Sequence, residues 1–181
     1  MPVCSIPPPL RDLLMELTAG GLFRAKWTER IHEEWMGSLM ADRPDLSRQQ
    51  LERTRDLMNS AVPDCLVTGY EPLILGLGLP DDDDRHVLAA AIASARDAIV
   101  TQNLKDFPKH QLARFDVEPL HPDDFIFHQV GLDTAAVLIA VTRCRARLRN
   151  PEKTATEYLD KLERQGLAKT VGVLREYATV I

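Results

Sequence analysis

Leu10, Leu13, Leu14 and Leu17 recur at i, i+3, i+4 and i+7, the spacing of one apolar helix face, and Gly20-Gly21 supplies a stop. Thr28 can cap a second helix with Ile31, Trp35 and Leu39 on its buried side. Asp45 or Ser47 can open a third, with Leu51, Leu57 and Met58 pointing inward and Pro63 ending it. Cys65-Leu66-Val67 then predicts a short strand, and the Gly-rich stretch from Leu75 to Pro80 a loop. The run Asp81-Asp82-Asp83-Asp84 opens a helix carrying Val87, Leu88, Ala91 and Ala95. Ala98-Ile99-Val100-Thr101 is a short β-type run, and a helix from about Pro108 leads to a second such run, Val117-Glu118-Pro119-Leu120. Helices alternating with short apolar strands predict an α/β fold with a parallel sheet flanked by helices.

From Gly131 onward only helix signals remain. Asp133 or Thr134 can cap Ala135 to Arg149, Asn150-Pro151 breaks that helix, and Thr154-x-x-Glu157 is a capping-box pattern for the next, which Gly166 ends. A last helix runs through Val171, Leu174 and Tyr177. The change of pattern near Phe127 divides the chain into a sheet-bearing domain, residues 1–127, and an all-α segment, residues 128–181. Charge follows pattern: residues 131–181 carry a net +3 and the remainder −8, within a net charge of −5 over 181 residues.

That acidic balance argues against a surface that is basic throughout, but leaves room for a local basic patch or for carboxylates gathered around a metal. Cys4, Cys65 and Cys144 are odd in number and widely spaced, with no Cys/His ligand pattern. They predict buried thiols in a reducing cytoplasm rather than zinc or a disulfide framework. The first residues lack a basic and apolar leader, and no apolar stretch approaches the roughly 20 residues that span a bilayer, so no membrane partner is expected.

Acids at strand-to-helix junctions are the first candidates for chemistry in an α/β fold, because ligands bind beyond the carboxyl ends of the strands. Glu34 borders the buried stripe of the second helix, Asp84 stands just before Val87–Ala91, and Asn103 and Asp106 follow the Ile99-Val100 strand. Taken singly, Asp81–Asp84 is a solvated helix cap, Glu34 a surface residue and Asp106 a turn residue. Their presence on three separate elements favours a joint site. Arg143, Arg145, Arg147 and Arg149 are the best basic cluster for a phosphate backbone, yet Arg143 and Arg147 share one helix face and Arg145 and Arg149 another.

Thr101-x-Asn103-x-x-Asp106-Phe107 after an Ile-Val strand, Asp84-Arg85-x-Val87-Leu88 at a helix start, and Ile31-His32-Glu33-Glu34-Trp35 together resemble the PIN-domain ribonucleases. More narrowly, the chain resembles VapC-type toxins of type II toxin–antitoxin pairs, with a C-terminal helical extension. The resemblance implies Glu34 and Asp84 as the second and third acids of the site. Asn103 falls at the polar position after the last site strand, Asp106 close by, and Thr101 beside them. It implies Glu34, Asp84 and Asp106 as ligands of Mg²⁺ or Mn²⁺, hydrolysis of RNA phosphodiester bonds, a cognate antitoxin, and a possible homodimer as partners.

The family's first strand ends in an Asp, and counting back from Pro9-Leu10-Arg11-Asp12 puts that position at about Met1. No Asp or Glu precedes Asp12. The first site strand is therefore expected to be truncated here and the nuclease impaired, whether through a misplaced start or through degeneration. The alternative function is a non-catalytic PIN module that binds RNA or an antitoxin.

Overall fold

The computed structural model describes residues 7–181. They form ten α-helices: α1 Pro8–Ala19, α2 Glu29–Asp42, α3 Arg48–Ala61, α4 Glu71–Ile74, α5 Arg85–Ala93, α6 Lys109–Leu112, α7 Pro122–Leu132, α8 Thr134–Ala146, α9 Ala155–Arg164 and α10 Ala168–Leu174. Two strands, β1 Ala98–Val100 and β2 Glu118–Leu120, pair in parallel with Ile99 opposite Pro119. This is a mostly helical PIN-like α/β fold with a small parallel sheet and a helical C-terminal region. The position of the family's first acid, at about Met1, lies outside the described residues.

The chain divides into two compact units. Among the described residues, one comprises Ala25–His121 and the other residues 7–24 with Pro122–Ile181. The sequence pattern placed a boundary at 127/128. The structure starts α7 at Pro122, and α1 groups with the C-terminal helices rather than with the sheet. Pro122 is a normal first helical residue, since its missing N–H is one the helix would leave unpaired.

In the sheet-bearing unit, Thr28 caps α2 by accepting the Ile31 N–H at 3.1 Å, and Ser47 and Gln50 close a capping box on α3. Met58 and Leu51 are buried in α3, whereas Leu57, expected inward, is 63% exposed. A residue adjacent to Met58 lies about 100° around the helix, which carries Leu57 off the buried stripe. Residues 65–67 form a single parallel bridge with Trp27, through Trp27 N–H to Cys65 O (2.9 Å) and Val67 N–H to Trp27 O (2.8 Å). Helix α5 is buried at every position from His86 to Ala91, the signature of a central helix, and it packs on β1.

A buried polar relay holds the start of α2. Trp35 Nε1–H donates to His32 Nδ1 (2.8 Å), His32 Nε2 lies 2.9 Å from Asn59 Oδ1, and Trp27 Nε1–H donates to the same oxygen (2.8 Å). Accepting at Nδ1 and donating at Nε2 requires a neutral ring. Burial lowers the His32 pKa below its ordinary 6.5, outweighing the Asn59 bond that raises it. The unfolded chain then binds the proton more readily, so this stabilisation is complete above pH 6.5 and is lost as pH falls below it. Urea unfolding followed by tryptophan fluorescence is expected to show stability falling from pH 7 to pH 5, and a His32→Gln variant to show a flatter profile.

In the helical unit, α1 packs on α8 and α9, and α10 on α7 and α9. Leu10, Leu13, Leu17, Ile126, Val137, Val141, Leu159, Leu162 and Val171 are buried there. Glu16, 8% exposed, takes Arg143 (3.2 Å) on one oxygen and Arg147 (2.5 Å) on the other. Arg145 donates to Ile181 O (2.7 Å) and Lys153 O (2.9 Å). Three of the four arginines read as an RNA cluster thus have intramolecular partners within this unit. Asp123 is buried at the start of α7 and accepts the backbone N–H groups of Lys169 (2.8 Å) and Thr170 (2.9 Å) at the start of α10. Among the described residues, no helix is long and apolar enough to cross a membrane.

Candidate metal centre

Parallel pairing fixes which end of the sheet can carry chemistry. Thr101 follows β1 directly, with its N–H on Leu120 O at 2.9 Å, so the ladder continues one residue past the strand. The chain then turns. Asn103 N–H donates to Thr101 Oγ (3.1 Å), and the short helical turn Leu104–Asp106 follows. Asn103 Nδ2–H in turn donates to Asp106 Oδ2. The buried Thr101 hydroxyl therefore braces the Asn103 backbone, and the Asn103 amide orients the Asp106 carboxylate.

The second side of the site is the acidic loop before α5. Asp81 caps a tight turn, Asp82–Asp84, by accepting the Asp83 N–H at 2.9 Å. That turn delivers Asp84 to the start of α5, where an acid is favoured by the helix dipole, and leaves it only 3% exposed. Oxygen atoms of Asp81, Asp84 and Asp106 all lie within 4.8 Å of one another. Asp84 is pushed above its usual carboxyl range, first by burial and further by the negative charges of Asp81 and Asp106. Three hard oxygen donors that repel one another, one of them buried, are a donor set suited to a hard divalent cation.

Glu34 borders this loop from α2. Its Oε1 lies 3.1 Å from Arg30 Nε and 3.0 Å from His86 Nε2, while Arg30 Nη2 reaches Asp83 O at 3.4 Å. Asp83 and His86 flank Asp84 in the chain, so the Arg30–Glu34 pair is fastened to both sides of the cluster. Of the residues singled out by sequence, the structure gathers Asp84 and Asp106 in the three-carboxylate group, with Asn103 and Thr101 supporting Asp106. Glu34 stands beside that group rather than within it. Asp81 is the residue that sequence reasoning passed over: within an acidic run it looked like a solvated cap. It is indeed a cap, and its carboxylate also faces the other two.

Comparisons with known proteins agree with this picture. A family model described as the VapC50 C-terminal domain matches residues 122–176, beginning where α7 begins. A curated protein of Mycobacterium tuberculosis (strain H37Rv), named "Putative ribonuclease VapC50", is 35% identical over 111 residues, covering 59% of this chain. The chain spans 65% of that relative's length. No solved structure matches. A parallel-sheet unit with an acidic group at its strand end therefore stands in a chain that is similar to this relative over part of its length and to the VapC50 C-terminal domain over residues 122–176.

Proposed function

We propose that the chain is a metal-dependent endoribonuclease acting as the toxin of a toxin–antitoxin pair. The observation that carries the reading is the convergence of Asp81, Asp84 and Asp106 within 4.8 Å at the carboxyl end of β1. Asp81, Asp84 and Asp106 would hold Mg²⁺ or Mn²⁺, with Glu34 at the edge of the site. The cation supplies Lewis-acid polarisation of the scissile phosphodiester and neutralises its charge. The protein's own share is positioning. Asn103 keeps an Asp106 oxygen turned inward, Thr101 holds the Asn103 turn against the end of β1, and the buried start of α5 holds Asp84. The relative's name, "Putative ribonuclease VapC50", supports RNA as substrate, and the resemblance to VapC-type toxins supports an antitoxin as partner.

A cleavage assay on total RNA tests this. The purified chain is expected to cut in Mg²⁺ or Mn²⁺ and to stop on adding EDTA. RNA retention without cutting, at any divalent concentration, would instead favour the non-catalytic alternative. Asn103→Ala is expected to lower cleavage roughly tenfold or more, as removal of an outer partner of a metal ligand commonly does, with little change in thermal midpoint. An unchanged rate in that variant would remove Asn103 from the site.

A further inference from the structure

His86 is 0% exposed, and it is the second residue of α5, in the first turn of the helix whose N-cap is Asp84. Neither of its ring nitrogens makes a well-aligned hydrogen bond. Its Nε2 nonetheless lies 3.0 Å from Glu34 Oε1, at ion-pair distance. A buried imidazole without an aligned partner is costly, so its place needs a reason. The side chain it touches supplies one: Glu34 is an acid on a different element, only partly buried, and its Oε1 is shared with Arg30. Arg30 is half exposed and lies on the same helix as Glu34, whereas the His86 ring is walled in by the core on α5.

We propose that His86 is a positioning residue that fixes the Glu34 carboxylate beside the Asp81–Asp84–Asp106 group. A rigid ring edge holds Glu34 Oε1 in place relative to α5, and so relative to Asp84. Metal ligands and their neighbours are commonly oriented by such outer partners, and losing one weakens metal affinity or activity by about 10–100-fold. The catalytic consequence rests on the nuclease reading above, but the contact itself does not.

The test uses the full chain with His86→Leu, which keeps bulk without a polar edge, and His86→Gln, which returns a side-chain N–H. Carbon-13 NMR of the Glu34 side-chain carboxyl, assigned with Glu34→Gln, reads the contact directly. The resonance is expected to move in His86→Leu and to return towards wild type in His86→Gln. Mn²⁺ affinity by calorimetry is expected to fall about tenfold or more in His86→Leu, and kcat on RNA to fall with KM held, again with partial rescue by Gln. In a Glu34→Gln background, His86→Leu is expected to cost nothing further in Mn²⁺ affinity. An unmoved Glu34 resonance in His86→Leu overturns the proposal, and so does an equal loss of Mn²⁺ affinity with and without Glu34. If the resonance moves and is rescued while wild type neither binds Mn²⁺ nor cuts RNA, the nuclease reading fails and the positioning contact stands.

Discussion

Replacing Asp84 with Asn is expected to abolish metal-dependent RNA cleavage and, at the same time, to stabilise the metal-free protein. The two effects share one cause. Asp84 is buried and faces Asp81 and Asp106, so its carboxyl is raised above the ordinary 3.8 by desolvation and by like charges. A group whose folded-state pKa is raised holds its proton better when folded. Its charged form therefore costs stability, with no penalty below about pH 3.8 and a growing one as pH rises through the folded value. Asn removes that penalty, so its gain in thermal midpoint is expected near pH 7 and is expected to vanish near pH 3. Added Mg²⁺ should raise the midpoint of wild type by mass action and leave that of Asp84→Asn unmoved. Cleavage should fall by at least about a hundredfold, since a bound cation supplies several kcal/mol of transition-state stabilisation. A variant that loses both stability and activity would mean that Asp84 is a structural cap and nothing more.

Asp123→Ala is expected to be a strongly destabilising change at a polar position of the helical unit. Helix α10 has no side-chain cap of its own, because Leu167 stands at its N-cap position. Its first N–H groups are instead satisfied by Asp123, 46 and 47 residues earlier in the chain, and the Thr170 hydroxyl donates back to Asp123 O at 3.1 Å. Removing that carboxylate loses two charge-assisted bonds and strands a buried Thr170 N–H, a loss of about 2–3 kcal/mol. Chemical denaturation followed by far-UV circular dichroism measures it. Asp123→Asn should recover part of the loss, because an amide oxygen can still accept one of the two N–H groups. A loss below about 0.5 kcal/mol, the range of an ordinary surface substitution, would contradict the role assigned to Asp123.

Local signals in the chain were reliable where the physics is local. The Leu10–Leu17 spacing is the buried face of α1, and Thr154-x-x-Glu157 is a capping box closed in both directions. Asp84 and Asp106 were legible as a pair because each sits next to an apolar run that ends at the same edge. What could not be read depends on contacts distant in sequence. The apparent basic cluster of α8 is bound up with Glu16, 127 and 131 residues away, and with Ile181 O. Glu16 lies on the Leu-rich helix and looks like any surface acid until α1 meets α8. Asp81 was hidden by its neighbours, since four consecutive aspartates give no hint of which carboxylates turn inward. The tight turn Asp82–Asp84 decides that, placing the first and last of the run together.

The central claim is that Asp81, Asp84 and Asp106 hold one divalent cation between them. Calorimetric titration of Mn²⁺ into the purified chain and into Asp81→Asn tests it most directly, because Asp81 is the member of the group that only the fold singles out. The account predicts saturable binding to wild type that weakens at least about tenfold in Asp81→Asn, the smallest loss expected for removing even a supporting partner of a metal site. Equal affinity in the two proteins, or no binding to wild type, would contradict it.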